Sequence, residues 1–376
     1  MAIGGRPAVM TDRLSKLLAA RPWLLADGAT GTNYFAAGLE AGGAPELWNV
    51  EHPDRVEALH RAFVEAGADI ILTNSFGGTH YRLKLHNAQD RVRELNQAAA
   101  AIARRVADEL GAELGREIVV AGSVGPTGEL FEPVGPLTLA DGTAAFAEQA
   151  QGLAQGLEGG GADVLWIETL SSVEELQAAV AGCATTGLPT VCTLSFDTNG
   201  RTMMGVTPRR VAELVHQMSP RPVAFGGNCG TGASELMAVL LRMREAMRPD
   251  DVLVAKSNCG VPEFVEGQIQ YNGTPELMAD YARLARDMGV RIIGGCCGTT
   301  PEHVRAMYDA LQAHQPGEPP SLGEVVTRLG AVSAGAAGQG PLGDRPAGRA
   351  GGRGEGRRRR GRSADTTPDG DCTPRF

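Results

Sequence analysis

The stretch PDRVEALHRAFVEAGADIILTNSF, residues 53–76, holds one complete unit of the fold. Val56, Leu59, Phe63 and Val64 recur at the three- and four-residue spacing of a helix with one apolar stripe. The glycine of EAGAD is a helix C-cap that leads into the next element. DIILTNSF then runs apolar and β-branched without alternation before it ends in polar residues. A continuous apolar strand behind an amphipathic helix is the mark of a parallel sheet covered by helices.

Beyond this unit, the same kind of strand recurs seven more times. WLLADGA (23–29) precedes it, and EIVVAGSV (117–124), DVLWIETL (163–170) and PTVCTLSF (189–196) follow. PVAFGGNC (222–229), DVLVAKSN (251–258) and RIIGGCC (291–297) complete the set. Helical stretches such as PELMADYARLARDMGV lie between them. Eight strand–helix units over roughly 300 residues fit an α/β fold of the closed (β/α)8 TIM-barrel type better than an open doubly wound sheet. The expected organisation is an N-terminal segment 1–19, a barrel over 20–316 and a disordered tail over 317–376. That tail is rich in Gly, Pro, Ala and Arg and cannot bury enough apolar surface to offset its ordering entropy. Its GRRRRGR run reads as a solvated charge cluster.

The whole chain is ordinary globular material: 376 residues, 43% hydrophobic and 21% charged, with a net charge of -9. The negative balance argues against a general nucleic-acid binder. Asp12, Arg13 and Lys16 interrupt the N-terminal apolar residues, so no signal peptide is expected, and no segment suits a membrane helix. Seven cysteines spread over this length do not form a disulfide framework. The expectation is a cytoplasmic protein with reduced thiols.

A barrel places its working groups at the C-terminal ends of the strands. Read in order, those ends carry Asp27, Thr73 with Asn74, Ser123, Glu168 with Thr169, and Ser195. Asn228 with Cys229, then Lys256 with Asn258 and Cys259, and finally Cys296 with Cys297 follow. Thiolates are natural soft ligands for zinc, and a catalytic zinc keeps three protein ligands and one open position. Neighbouring residues of a regular strand point to opposite faces. Cys296 and Cys297 can therefore share one ion only if the strand has ended, and the glycines around them supply the backbone freedom. Thr300, Pro301 and Glu302 then open a helix. A vicinal disulfide or plain packing are the competing readings. GGNCGTG and KSNCGVP both end a strand in Asn-Cys-Gly, so spacing leaves Cys229 and Cys259 equal as the third ligand. Cys183, Cys192 and Cys372 receive no role. GATGTN lacks the Lys-Ser/Thr of a nucleotide loop.

LADGATGT, TNSF, IETL, GGNC and GGCCGTTPEH together resemble the homocysteine S-methyltransferase family over roughly residues 20–315. That family includes betaine–homocysteine methyltransferase, the S-methylmethionine-dependent enzymes and the homocysteine module of cobalamin-dependent methionine synthase. The resemblance implies one zinc ion per chain on Cys229, Cys296 and Cys297, with Cys259 a neighbour of the pocket. It implies that Asp27 and Glu168 contact the amino-acid end of homocysteine, with Thr73 and Asn74 beside them, and that the product is methionine. Betaine or a related small onium compound is the expected donor, and Trp48 and Phe76 are the aromatics expected to meet it. Animal betaine enzymes carry aromatics where this chain has Gly77 and Thr169. TNSF and IETL stand closer to the methionine synthase module, which brings in an alternative: methylcobalamin carried on a partner protein. Homo-oligomerisation is carried as an option. A Schiff-base lyase built on Lys256 is the distant alternative.

Overall fold

The computed structural model describes residues 12–338, apart from residues 41, 158–159, 198 and 266–267. The Arg-rich run and Cys372 lie outside the described residues. Among the described residues ten strands follow one another in chain order: β1 (Leu24–Leu25), β2 (Ile70–Leu72), β3 (Val119–Val124), β4 (Val164–Leu170) and β5 (Thr190–Leu194), then β6 (Ala224–Cys229), β7 (Leu253–Ser257), β8 (Pro262–Val265), β9 (Gln268–Tyr271) and β10 (Ile292–Gly295). Eight of them form one parallel sheet in the order β1-β10-β7-β6-β5-β4-β3-β2. A parallel bridge between Ala26 and Ile70, and the Asp27 N–H donating to the Ile70 carbonyl at 3.0 Å, join the two edges. The (β/α)8 barrel is therefore closed. β8 and β9 pair as an antiparallel hairpin inserted after β7, an element that the strand–helix rhythm of the sequence did not announce.

Alternation along the strands sorts the core into two shells. Leu24, Ile70, Leu72, Val119, Ala121, Val164, Trp166 and Val254 point inward and fill the barrel. Leu25, Ile71, Val120, Leu165, Ala255 and Ile293 point outward under the helices. Trp166, in the apolar body of its strand, is fully buried in the inner shell.

The helix Arg13–Ala20, capped by Asp12 on the Ser15 N–H at 2.8 Å, inserts Leu14 into that inner shell. It floors the N-terminal end of the barrel, so the barrel unit reaches into the segment 1–19 instead of starting at residue 20. Acidic residues at this end are neutralised one by one. Asp69 accepts Arg21 at 2.6 Å, Arg116 at 3.1 Å and the Leu25 N–H at 2.9 Å. Asp163 accepts Arg104 at 2.9 Å and the Val120 N–H at 2.8 Å.

The stretch from 317 onward, expected to be disordered throughout, is structured as far as residue 338. Ser321 caps a helix, Leu322–Leu329, that buries Val325 and Leu329. Arg328 binds Asp280 at 3.0 Å, Ser234 donates to the Ala331 carbonyl at 3.0 Å, and Glu235 accepts the Ser333 N–H at 2.9 Å. The Gly- and Ala-rich surroundings mask this short apolar stripe when composition is averaged over the whole tail. No described helix is long and apolar enough to cross a membrane.

Candidate functional site: a thiol cluster above a buried charge layer

Continuing the inward register past the apolar layer brings up a polar one. Ala121 is followed by Ser123, Trp166 by Glu168, Val254 by Lys256, and Ile292, through Gly294, by Cys296. These four line a cavity of about 400 Å³ at the C-terminal mouth, together with Thr73, Asn74, Phe76, Thr169, Cys229 and Cys297.

The thiols meet because two backbones leave strand geometry. β10 ends at Gly295, so Cys296 and Cys297 lie in a turn, with the Cys296 N–H donating to the Ser257 carbonyl at 2.6 Å. A Cβ on Gly295 would collide with Thr299, and one on Gly298, at φ +78, with the Tyr271 ring. Thr300 caps the following helix with Pro301 in its first turn, as the sequence indicated, and His303 completes a capping box. On β6, Cys229 takes the left-handed conformation at φ +60, which is costly for a side-chain-bearing residue. The result is three Sγ atoms within 4.8 Å of one another, Cys229 and Cys297 being 3.7 Å apart. Among the described residues this is the one such group of potential metal ligands. Cys259, equal to Cys229 by spacing, is buried, and its backbone N–H supports the Cys297 carbonyl at 2.9 Å. Cys183 and Cys192 are buried in a helix and in β5.

Asn228 ties this turn to the next. It accepts the Thr169 N–H at 2.9 Å, donates to the Thr169 hydroxyl at 2.8 Å and lies 3.7 Å from the Cys296 sulfur. Thr169 itself sits at φ +65, so the clamp holds a strained residue directly after Glu168.

Charges are packed tightly. Lys256 Nζ lies 2.8 Å from Asp27 Oδ1 and 5.5 Å from the centre of the Trp166 ring. Asp27 Oδ2 accepts the Leu72 N–H at 2.7 Å. Burial raises the Asp27 carboxyl above its ordinary range, against the pull of Lys256. Burial acts to lower the Lys256 ammonium, yet Asp27 and Glu168 outweigh it and the group is held above the usual lysine range. Glu168 accepts the Ser123 hydroxyl at 2.5 Å, and burial pushes it up to about 7 despite Lys256. Among the thiols, hydrogen bonds from Cys229 and Cys296 hold Cys297 down at about 3. Hydrogen bonding to Cys296 and Cys297, together with burial, pushes Cys229 up. Three sulfurs this close accommodate one negative charge by themselves, and ionising all three requires a cation among them.

Most of the residues chosen from sequence converge here, with two exceptions. Thr73 and Asn74 line the cavity, but their polar atoms serve the framework. The Thr73 hydroxyl meets Ser75 at 2.6 Å and accepts the Ser123 N–H at 2.9 Å, and Asn74 donates to the Pro45 carbonyl at 2.7 Å. Phe76 lines the cavity. Asp27 is fully buried and does not line it, because Lys256 and Leu72 occupy its two oxygens. Trp48 does not line it either. Its ring is buried against Tyr34 and His52, each at a centroid distance of 5.4 Å, with the Arg55 guanidinium over it at 4.9 Å. Phe35, half exposed, takes the place at the rim that sequence reading gave to Trp48. Ser123, Asn228, Lys256, Glu46 and Arg82 were not chosen as substrate-binding residues. The inward two-residue register was the signal for the first three. Glu46 and Arg82 come from loops, where no such register exists.

Fold and site together define a barrel with a thiol cluster suited to a soft metal beside a charge-lined cavity. A family model described as homocysteine S-methyltransferase matches residues 24–311. The methionine synthase of Mycobacterium tuberculosis is 34% identical over 305 residues, 77% of this chain and 24% of that protein. That of Mycobacterium leprae is 32% identical over 340 residues, 86% of this chain and 27% of that protein. The chain thus spans about a quarter of the length of the methionine synthases it matches. The metallated form of the homocysteine methyltransferase MmuM from Escherichia coli superposes with a TM-score of 0.64 at 27% identity, covering 79% of this chain and 99% of that one. The chain belongs to the homocysteine S-methyltransferase family.

Proposed function

We propose that this chain methylates the thiol of L-homocysteine to give L-methionine, using one zinc ion held by Cys229, Cys296 and Cys297. The observation that carries the reading is the thiol cluster opening onto a cavity that also presents Glu168. Tetrahedral sulfur ligands at about 2.3 Å lie roughly 3.8 Å apart, and the Cys229–Cys297 spacing is 3.7 Å. The donor set therefore fits zinc without rearrangement of that pair. When bound, zinc would supply the Lewis acidity that keeps an acceptor thiol deprotonated at neutral pH.

The side chains do the remainder. Glu168 receives the acceptor's ammonium, and the ionic contact favours its charged form as the substrate enters. Asn228 keeps the Glu168–Thr169 turn and the Cys296 sulfur in fixed relation. Phe76 and Phe35 offer apolar and π surface on the donor side. The reaction balances as thiol plus methylated donor giving thioether, demethylated donor and a proton. A small onium compound such as betaine is the donor in this reading. A second reading, methylcobalamin on a partner protein, is favoured by the methionine synthases that are about four times as long as the matched segment. Lys256 counts against the lyase alternative, since a Schiff-base amine must be neutral and this one is a paired cation.

Zinc-loaded protein incubated with homocysteine and, separately, betaine, S-methylmethionine, a dimethylsulfonio compound or methylcobalamin decides among these by methionine formation. Undiminished activity after complete zinc removal would refute the metal's role.

A further inference from the structure

Lys256 is a buried cation that the methyl-transfer reading does not use. Its ammonium has three N–H donors. One goes to Asp27 Oδ1 at 2.8 Å, and no other hydrogen bond from this nitrogen is present among the described residues. The side chain is 3% exposed, yet it lines the cavity. A buried ammonium with unused donors facing a cavity is costly unless an acceptor arrives there. Its location narrows what that acceptor is. The nitrogen lies 5.5 Å from the ring centre of Trp166, which precedes Glu168 by two residues on the same face of β4. An α-amino acid carries its ammonium and carboxylate on a single carbon, so the groups that receive them must be neighbours. Arg82 and His86 also line the cavity, and their charges act on Glu46, in the loop after β1.

We propose that Lys256 is a specificity-determining residue that takes the α-carboxylate of the acceptor while Glu168 takes its ammonium. The inference rests on the reading of an amino-acid thiol as substrate. It replaces the expected Asp27–Glu168 ammonium clamp with a zwitterion clamp, in which Asp27 holds Lys256 in place. The pocket then selects for the carboxylate as well as for the thiol.

The test is calorimetric binding of three thiols to zinc-loaded protein: L-homocysteine, 3-aminopropane-1-thiol, which lacks the carboxylate, and 4-sulfanylbutanoate, which lacks the ammonium. Lys256→Met is expected to weaken homocysteine roughly 10- to 100-fold, the value of a charge-assisted contact. Binding of 3-aminopropane-1-thiol should change less than about threefold on the same scale. Lys256→Met leaves Asp27 unpaired, so the double variant Asp27→Asn/Lys256→Met, which removes both charges, provides a folded comparison and should show the same selectivity. Equal weakening of both amino thiols, or none, would overturn the inference and restrict Lys256 to pairing with Asp27, while the homocysteine reading stands. Failure of the unaltered protein to bind any of the three thiols would overturn both.

Discussion

The two ends of the barrel carry similar acids in opposite circumstances. At the N-terminal end, Asp69 and Asp163 each receive arginine and a backbone N–H, and a helix lies across the opening. At the C-terminal end Glu168 has one serine hydroxyl and a pKa of about 7. Three thiols crowd beside it, and Cys229 and Thr169 hold left-handed backbone. One end satisfies its polar groups within the protein. The other leaves Glu168 and Lys256 short of partners and so stores affinity for whatever enters. Stability and function are thus separated along the barrel axis, as the general behaviour of this architecture anticipates.

Four measurements probe that contrast. The largest effect belongs to the thiols. Cys229→Ser and Cys297→Ser should each drop zinc from about one per chain to far below it after dialysis against a competing chelator. Elemental analysis reads this, and full zinc retention in either variant would detach the cluster from metal binding. Next, Asp69→Ala should cost about 3–5 kcal/mol in urea unfolding, the scale for breaking a buried ion pair, and leave zinc content untouched. A cost below about 1 kcal/mol would deny the N-terminal end its stabilising role.

Third is Glu168→Gln, with a sign that separates the two ends. The ordinary carboxyl titrates near 4.5 and this one near 7. Between those values the unfolded chain has shed its proton and the folded chain has not, so folding stability falls as pH rises through the window. A glutamine side chain in its place cannot titrate. The metal-free variant should be more stable than its parent by about 3 kcal/mol at pH 8 and nearly equal to it at pH 4. Homocysteine affinity should fall in the same variant. A loss of stability at pH 8 would place Glu168 among the structural acids instead. The smallest effect is Thr169→Gly, where relief of the left-handed backbone opposes loss of the Asn228 contact, for a net change within about 1 kcal/mol in the same urea titration. A cost well above that would make the Asn228 clamp a stabilising element of the mouth.

Much of this was legible in the sequence because parallel barrel strands are short apolar runs with little alternation, and eight of them stood clear of their helices. The strand limits were less legible. The run 23–29 yields only a two-residue β1, since the chain leaves the ladder after Ala26 to begin the loop over the mouth. The hairpin β8–β9 has no mark in the strand–helix rhythm because it sits between two barrel units and repeats neither. The cysteine cluster was readable in part: position showed that three thiols could meet, while the choice between Cys229 and Cys259 rested on family resemblance. The Asp27–Lys256 pair, separated by 229 positions, leaves no local trace in sequence. Trp48 looked free in a long loop, but a large ring finds a buried partner more readily than solvent, and Tyr34 supplied one.

Trp166 couples two layers of the molecule. Its indole packs in the inner shell, donates to Thr193 at 3.2 Å and turns its face to the Lys256 ammonium. The layer beneath Lys256 is therefore also the top of the core. A change at this position would disturb the packing of the inner shell and the seat of Lys256 in one step.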